Sequence, residues 1–336
     1  MRIVLDAMGS DKHPGPEVEA ALKVLRQDGG ELVLVGNRPE LEGLLPDRPE
    51  GLEIMHAADV FEMTDHVSLG RLREAEHSMG VAMDLLKHGK ADAFVTAGNT
   101  GGAMATGLTR LGRIKGVQRP ALTAPFPVKG GVCMVLDAGA NAECKPEYLL
   151  QFALMGSAYA AKMLGLSQPR VGLLSNGEEE GKGDDLVKAA FPLLKESGLN
   201  FVGNIEPKEL FGGMVDVAVT DGFTGNVMMK ASEAVARLLV DTLRESLTSS
   251  LRTKVGALLA RPAFNELRKL IDSREIGAVP LLGIDGLIFV GHGRSDAKAL
   301  VSAIRLARRS VEAGLLDSLR AAIEAGISQL ARSRAG

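Results

Sequence analysis

Aromatic residues are scarce in this chain of 336 residues: tryptophan is absent, and Phe, Tyr and Trp together make up 4%. Proteins that bind single-stranded nucleic acids stack the bases on such side chains, so the composition disfavours this class. The formal net charge of −3 also argues against general nucleic-acid binding and permits only a local basic patch. We therefore expect no nucleic-acid partner.

Cysteines and long apolar runs are lacking as well. The two cysteines, Cys133 and Cys144, match no metal-binding spacing, and so few thiols fit a reducing cytoplasm better than a disulfide-linked fold. No apolar run approaches the roughly 18 residues of a membrane-spanning helix, and the first residues have the pattern of a strand rather than a signal peptide. The sequence therefore predicts a cytoplasmic protein.

The chain does contain a regular alternation of short apolar runs and helical patterns. Hydrophobic residues make up 46% of the sequence, as in globular proteins. Runs such as 2–5, 131–136 and 171–174 have the length of buried strands, and each is followed by a polar turn and a stretch of helix formers. This alternation predicts an α/β fold, with a mostly parallel sheet covered by helices on both faces, in a single large domain over residues 1–336.

One turn has the features of an anion site. The apolar run Ala93 to Val95 stops at Gly98-Asn99-Thr100-Gly101-Gly102, and a helical pattern follows. Glycines let backbone N–H groups approach a ligand, and the start of a helix carries partial positive charge, so phosphate would be held there. The alternative is a tight turn with an Asn or Thr N-cap and no ligand.

Similar polar turns follow five other predicted strands. In a parallel sheet the carboxyl ends of the strands share one edge, which is where ligands bind. The repetition therefore predicts a small-molecule cleft rather than a set of purely structural turns. The six turns are 6–11, 98–102, 137–141, 175–183, 221–226 and 291–295.

Carboxylates in these turns could hold a divalent cation, but Asp and Asn are also ordinary turn and cap residues, so we expect no metal. The segment from Gly177 to Gly183 is not a P-loop, because only three residues separate Gly177 from Gly181. No Gly-x-Gly-x-x-Gly follows the first strand, so a dinucleotide site is not expected. The acidic candidates are Asp6, Asp11, Asp137, Asp221 and Glu178 to Glu180.

Few basic residues accompany the turns. A single one is usually a solvated surface charge, but two or three beside backbone N–H groups would suit an anionic reactant. They are Arg119, Lys182, Lys230, His292 and Arg294.

A basic segment interrupts the α/β pattern. Residues 249–278 hold six basic and three acidic residues, a local charge of +3, and Leu251, Val255 and Leu258 recur at helical spacing. We predict a protruding helical arm over 245–278 that packs on a second subunit or lies on an anionic membrane surface. An ordinary surface hairpin fits the composition equally well.

Taken together, the turns resemble those of the bacterial phosphate acyltransferases of the PlsX type, in order and over nearly the whole chain. Ser10 stands where that family usually has glycine, and Gly277-Ala278-Val279 where it usually has Gly-Gly-Ala after a tyrosine. The matching segments are Asp6–Asp11, Ala97–Gly101, Arg119–Ala121, Gly139–Asn141, Gly203–Glu206, Asp221–Asn226, Pro280–Gly283 and His292–Ser295.

The resemblance implies transfer of a long-chain fatty acyl group from acyl carrier protein to inorganic phosphate, which forms acyl phosphate for phospholipid synthesis. It also implies a fold similar to isopropylmalate dehydrogenase and phosphotransacetylase, a homodimer, and association with the inner face of the cell membrane. The reaction needs no cofactor, because phosphate is the nucleophile and the thioester has a good leaving group.

On this basis the turn residues receive roles. We expect phosphate at Gly98, Asn99, Thr100 and Gly101, with Lys182 and Arg119 as charge partners. We expect an oxyanion hole from Asn141, Asn226 or the turn at Gly222 to Gly225. His292 would protonate the departing thiolate or orient phosphate. Further substrate-binding candidates are Asp221, Thr224 and Lys230.

Acyl carrier protein is acidic, so its docking surface should be basic. Arg110, Arg113 and Lys115 are candidates, together with the arm from Arg252 to Lys269. Three alternatives stay open: a phosphate acetyl- or butyryltransferase that uses coenzyme A thioesters, a dehydrogenase on the same architecture, and a membrane-surface scaffold that binds the carrier protein without turnover.

Overall fold

The computed structural model describes residues 1–61, 63, 65, 76–264 and 273–333. The strands in this part of the chain are β1 (Arg2–Asp6), β2 (Glu31–Gly36), β3 (Leu52–His56), β4 (Ala93–Thr96), β5 (Ala121–Leu122), β6 (Ala124–Val128), β7 (Gly131–Leu136), β8 (Val171–Leu174), β9 (Phe201–Ile205), β10 (Val217–Val219), β11 (Ala278–Leu282) and β12 (Leu287–Gly291). The helices are α1 (Gly15–Asp28), α2 (Arg38–Leu44), α3 (Ser78–Lys87), α4 (Thr100–Arg110), α5 (Pro146–Met163), α6 (Asp185–Lys195), α7 (Pro207–Phe211), α8 (Gly222–Thr248), α9 (Leu251–Leu259), α10 (Ser273–Ile276), α11 (Ala297–Glu312) and α12 (Leu315–Ser333).

The strands form two sheets, where the sequence pattern predicted one. The larger sheet has seven strands in the order β3-β2-β1-β4-β12-β11-β5. Its first five strands are parallel, whereas β11 runs antiparallel to both β12 and β5. Alternate residues of β1 face opposite layers: Ile3 and Leu5 pack toward α1 and α11, and Val4 packs toward α3. The mostly parallel α/β prediction is confirmed, but the strands are divided.

The smaller sheet has five strands in the order β6-β7-β10-β8-β9, and β6 is its antiparallel edge. Helix α5 covers one face of this sheet. Gly156 allows that contact to be close, because a Cβ there would lie 2.7 Å from Val217 Cγ1. Helix α7 and the beginning of α8 cover the other face, where Leu210, Met228 and Met229 pack on Val135 and Ala218.

One hydrophobic core connects the two sheets. It includes Ile3 and Leu5 of the larger sheet together with Leu136 and Val219 of the smaller one, with Phe152 of α5 buried in the same cluster. A continuous core of this kind holds the carboxyl ends of strands from both sheets in a fixed arrangement.

Helix α8 enters the region predicted as an arm. It has 27 residues, which span about 40 Å at the usual helical rise, yet only Gly222 and Gly225 at its start are buried. Helix α9 packs back against it. The arm predicted for 245–278 thus comprises the end of α8 and α9, while residues 265–272, with Arg268 and Lys269, lie outside the described residues.

Among the described helices, none has both the length and the hydropathy required to cross a bilayer.

An ion pair joins the amino ends of β8 and β10. Arg170 Nη2 lies 2.8 Å from Asp216 Oδ1 and Arg170 Nε lies 3.0 Å from Oδ2. The backbone N–H of Arg170 donates to the same carboxylate at 2.8 Å. The hydrogen bonds from Arg170 hold the pKa of Asp216 below its ordinary value.

We expect Arg170→Gln to lower the free energy of unfolding at pH 7 by on the order of 1 kcal/mol, a value reduced by the partial exposure of the pair. Because the pKa of Asp216 is lowered in the folded state, its stabilisation is present above its unfolded pKa, near 4, and is lost as the pH falls through the folded pKa. The free energies of unfolding in urea should therefore differ between the two proteins at pH 7, begin to converge below about pH 4, and become similar below the folded pKa of Asp216.

Lys195→Gln is the matched control, because Lys195 forms an exposed pair with Glu180 and should change stability little at any pH. A pH-independent loss in Arg170→Gln would contradict the electrostatic origin of the effect.

Candidate active site

A buried hydrogen-bond relay shapes the turn after β4. Thr96 Oγ1 donates to Asp6 Oδ2 at 2.8 Å and accepts the N–H of Gly98 at 2.9 Å. Asp6 and Thr96 are fully buried. Burial raises the pKa of Asp6, and the hydrogen bond from Thr96 acts in the opposite direction. The relay therefore fixes the direction in which the chain leaves β4.

Two glycines allow neighbouring turns to touch. A Cβ on Gly9 would lie 2.9 Å from the nitrogen of Gly98, and a Cβ on Gly98 would lie 2.7 Å from Met79 Cε. The N–H of Asp11 also donates to the carbonyl of Gly293 at 2.7 Å. The turns after β1, β4 and β12 are therefore in direct contact at the carboxyl edge of the larger sheet.

At the start of α4, two backbone donors have no acceptor within the part of the chain that the structure describes. Asn99 caps this 11-residue helix by accepting the Gly102 N–H at 3.0 Å, and the Gly98 N–H is bonded to Thr96. The N–H groups of Thr100 and Gly101 have no acceptor among the described residues. Two adjacent free N–H groups at a helix start can bind an anion. The Gly98 amide, by contrast, is already engaged.

His292 lies in the turn after β12. Its Nδ1 accepts the Arg294 N–H at 3.3 Å, so the proton of the neutral ring is on Nε2. Burial and the charges of Arg294 and Lys230 lower the pKa of His292, while Glu233 and Asp11 act in the opposite direction. The imidazole is therefore neutral at pH 7 and carries a donor on Nε2.

These groups line a pocket of about 650 Å³ between the two sheets. Its polar lining comes from the touching turns and from α8, and its apolar lining comes from β5, β6, α7, α8, α10 and the start of β11. The polar residues include Asp11, Gly98, Thr100, Lys230, Ser232, Glu233, His292 and Gly293. The apolar residues include Leu122, Ala124, Phe126, Phe211, Met229, Ala236, Ile276 and Val279.

The apolar part is built by residues distant in sequence. The rings of Phe126 and Phe211 lie 6.2 Å apart between centroids. Met229 of α8 packs against the same cluster, and the next residue, Lys230, also lines the pocket. The pocket can therefore hold an anionic group and a long apolar group at the same time.

A second cluster of turns lies at the edge of the smaller sheet, around the buried carboxylate of Asp137. Its Oδ1 accepts the N–H groups of Leu122, Gly139 and Ala140, and its Oδ2 accepts the N–H of Asn141 at 2.7 Å. Burial raises the pKa of Asp137, and these hydrogen bonds lower it. Leu122 also lines the pocket, so this cluster lies directly behind the pocket wall.

The side chain of Asn141 is committed within this cluster. Its Nδ2 donates to Asp137 Oδ2 at 2.8 Å and to the Pro120 carbonyl at 2.7 Å, which uses both of its N–H bonds. The backbone carbonyl of Asn141 accepts the N–H of Gly222 at 2.8 Å. Asn141 therefore shapes the turn and has no donor left for a reactant.

The start of α8 closes against the same turn. A Cβ on Gly222 would lie 2.5 Å from the Asn141 carbonyl oxygen, so only glycine fits. Asp221 caps the helix by accepting the Thr224 N–H at 2.8 Å, and Thr224 is exposed. Asn226 lies beside Gly139, is exposed, and its amide bonds to no described residue.

The two predicted charge partners of phosphate lie away from the pocket lining. Lys182 is exposed in the turn after β8, where its carbonyl accepts Asn204 Nδ2 at 3.4 Å. Arg119 is exposed, and its charge acts on Cys144 beside the second cluster. Lys230 does line the pocket, 3.6 Å from Glu233. The six turns thus divide into a group of three at the pocket, a pair behind it, and the separate turn that holds Lys182.

One group of carboxylates in the described part of the chain is close enough to share a cation: Glu178, Glu206 and Glu209. The ammonium group of Lys208 contacts all three. An internal cation therefore already balances the cluster. Of the acidic turn residues, Glu178 belongs to it, whereas Asp6, Asp11, Asp137 and Asp221 do not.

Sequence reasoning missed Thr96 and the apolar lining. Thr96 had one detectable signal, a hydroxyl residue at the end of a buried strand immediately before Gly98. No sequence signal marked Phe126, Phe211 or Met229 as pocket residues, because each has the pattern of an ordinary core residue of its own element.

A sequence profile of the fatty acid synthesis protein family matches residues 1–317. A phosphate acyltransferase of Pelotomaculum thermopropionicum is 46% identical over 326 residues, which cover 96% of this chain and 95% of the relative. A phosphate acyltransferase of Thermus thermophilus is 46% identical over 326 residues, covering 97% and 99%.

A phosphotransacetylase from Streptococcus pyogenes superposes with a TM-score of 0.61 at 15% identity, covering 96% of this chain and 94% of that one. A likeness at this identity concerns the fold alone, and it confirms the predicted phosphotransacetylase-like architecture. With a family profile over most of the chain and near full-length relatives at 46% identity, the chain belongs to the phosphate acyltransferase group of the fatty acid synthesis protein family, and it is an acyltransferase.

Proposed function

We propose that the chain transfers a long-chain fatty acyl group from the thioester of acyl carrier protein to inorganic phosphate, forming acyl phosphate for phospholipid synthesis. The observation that carries this proposal is the composition of the pocket, which joins the free amides at the start of α4 to an apolar wall from β6, α7 and α8. Relatives named phosphate acyltransferase support the same reaction.

The phosphate binds at the start of α4. The N–H groups of Thr100 and Gly101 donate to its oxygens, and Asn99 keeps the turn in shape through its cap to Gly102. Lys230 is the cation that lines the pocket, so it balances the charge of the anion more directly than Lys182 or Arg119. A backbone site of this kind holds phosphate mainly through oriented dipoles.

The acyl chain occupies the apolar part of the pocket, against Phe126, Phe211 and Met229. Each buried CH₂ group contributes about 0.8 kcal/mol. A chain of many carbons therefore gains far more from this wall than an acetyl group would, which favours a fatty acyl donor over the acetyl- or butyryl-coenzyme A alternative.

The reaction consists of one acyl transfer. A phosphate oxygen attacks the thioester carbon, the carbonyl becomes an oxyanion, and the carrier thiolate leaves as the carbonyl re-forms. Asn226 and the backbone of the turn from Gly222 to Gly225 are candidates for the oxyanion hole, since the amide of Asn141 is already used. Removing one oxyanion donor typically costs on the order of 3 kcal/mol in the barrier.

His292 orients phosphate rather than acting as a proton donor to the thiolate. Its lowered pKa keeps the ring neutral near pH 7, and the bond from the Arg294 N–H leaves Nε2–H as its donor. A neutral imidazole is too weak an acid to protonate a thiolate, and the thiolate is a good leaving group without protonation.

The carrier protein docks on basic residues after α4. Arg113 and Lys115 are exposed, whereas Arg110 is half-buried and paired with Asp84 at 3.3 Å. Arg113 and Lys115 are therefore the residues available for an acidic partner.

The arm makes two kinds of contact, one with a second copy of the chain and one with the membrane surface. Helix α8 exposes Leu238 and Leu239, each at 64%, and a second copy of the chain covers this face in a homodimer. Helix α9 exposes Leu258 at 67% beside Arg252 and Lys254, a pattern suited to the anionic inner surface of the cell membrane. The protein is thus cytoplasmic and peripheral to that membrane.

The direct test is incubation with palmitoyl carrier protein and ³²P-labelled phosphate, followed by detection of labelled acyl phosphate. We expect the product with the carrier-protein donor. A product with acetyl- or butyryl-coenzyme A alone would support the short-chain alternative. Binding of the carrier protein without formation of acyl phosphate would favour the scaffold alternative. Binding of a nicotinamide cofactor without formation of acyl phosphate would favour the dehydrogenase alternative.

Substitutions of His292 distinguish an orienting donor from a general acid. We expect His292→Ala to lower kcat/KM by about 10²-fold, and His292→Gln, which retains an N–H donor but does not titrate, to keep most of that activity. Steady-state rates from pH 6 to pH 9 provide the measurement. Equal losses in the two variants would contradict the orienting role, because the glutamine N–H would then not replace the donor of the ring.

Glutamate substitutions separate the two contacts of the arm. We expect Leu239→Glu to shift the mass in sedimentation velocity from dimer to monomer, and Leu258→Glu to reduce sedimentation with phosphatidylglycerol vesicles. Both place a charge where an apolar contact is needed. Met214→Glu is the control, because Met214 is 60% exposed outside the arm. A monomeric wild-type protein would contradict the dimer, and undiminished vesicle binding by Leu258→Glu would contradict the membrane contact.

A further inference from the structure

A buried carboxyl beneath the first polar turn has no part in the reaction proposed above. Glu17 lies in the first turn of α1 and is 0% exposed. Its Oε1 accepts the backbone N–H of Ser10 at 3.1 Å, and Ser10 is itself 2% exposed. Burying a carboxyl is energetically unfavourable unless its hydrogen bonds compensate, so the burial of Glu17 beneath this turn costs free energy that its hydrogen bond to Ser10 offsets.

The segment held by Glu17 touches both neighbouring turns at the pocket. Gly9 packs against the backbone of Gly98, where a Cβ would approach Gly98 N to 2.9 Å. The N–H of Asp11 donates to the Gly293 carbonyl at 2.7 Å. Ser10 lies between these two contacts, so its bond to Glu17 fixes the segment that separates the start of α4 from the turn of His292.

We propose that Glu17 is a positioning residue for the phosphate site, because it holds the segment from Gly9 to Asp11 against the turns of Gly98 and His292. This inference rests on the proposed function, since it takes the start of α4 as the phosphate site. Glu17 touches no reactant itself. Its effect passes through the Gly9–Gly98 contact to the direction of the Thr100 and Gly101 N–H groups.

The environment of Glu17 determines which substitution should rescue it. Burial is the main cause that raises its pKa, the negative charge of Asp6 on β1 adds to the effect, and hydrogen bonds from Ser10 oppose it. His13 acts in turn on Asp6. A carboxyl in its protonated form accepts the Ser10 N–H through its carbonyl oxygen, and a glutamine amide presents the same oxygen.

The experiment compares Glu17→Gln, Glu17→Ala and the control Glu19→Ala, since Glu19 is an exposed residue of the same helix. We measure kcat, the KM for phosphate at saturating palmitoyl carrier protein, and the KM for that donor at saturating phosphate. We expect Glu17→Ala to raise the KM for phosphate by about fivefold or more and to leave the donor KM within about twofold, because only the anion site is displaced. Glu17→Gln should restore the phosphate KM to within about twofold of wild type, as should Glu19→Ala.

A general loss of fold would give a different pattern, with a lower melting temperature and a lower kcat but no selective change in the phosphate KM; that result would overturn the proposal. Equal defects in Glu17→Gln and Glu17→Ala would also overturn it. If Glu17→Ala fails to fold, Glu17→Asp takes its place, because the shorter side chain keeps the carboxyl but draws it away from the Ser10 N–H.

The shift in melting temperature caused by inorganic phosphate separates this inference from the proposed function. A wild-type protein that forms no acyl phosphate contradicts the proposed function. The positioning role is then decided by whether the phosphate-induced shift is smaller in Glu17→Ala than in Glu17→Gln. Normal turnover in the wild type with an unchanged phosphate KM in Glu17→Ala contradicts the positioning role alone.

Discussion

Buried carboxylates at the ends of strands organise the pocket. Asp6 ends β1 and Asp137 follows β7, and both are fully buried. A carboxylate removed from water must gather hydrogen-bond donors from its surroundings. Asp6 takes the Thr96 hydroxyl and the Met8 N–H, and Asp137 takes four backbone N–H groups and the Asn141 amide. The need to satisfy these two groups bends the chain into the turns that line and support the site.

The same need determines which donors remain for a ligand. Thr96 accepts the N–H of Gly98 and Asn99 accepts that of Gly102, whereas the N–H groups of Thr100 and Gly101 have no acceptor among the described residues. Around Asp137 the donors are consumed more completely, including both N–H bonds of Asn141. A glycine-rich turn is therefore not a binding site throughout, and its free amides are those that the internal relay does not need.

The order of strands and helices could be read from periodicity, and so could the turn at Gly98, because these depend on neighbouring residues. The division into two sheets could not, because strand pairing is decided between distant segments. Strand β11 was not predicted: it contains Pro280 and runs antiparallel beside a two-residue strand. The composition of the turns likewise does not predict that Lys182 lies away from the pocket or that the amide of Asn141 is already hydrogen-bonded, because both depend on the tertiary structure.

An apolar wall beside the proposed phosphate site has a physical consequence for the chemistry. Excluding water from the apolar part lowers the local dielectric, so the few donors that face phosphate act more strongly than they would in water. The same desolvation, together with Arg294 and Lys230, disfavours a charge on His292 and keeps its ring neutral. A charged ring there would add repulsion to Lys230, whereas a neutral ring offers a donor without that cost. In the proposed reaction the long apolar group and the small anion are therefore not independent ligands of this pocket, because the wall proposed to bind the first sets the strength of the contacts to the second.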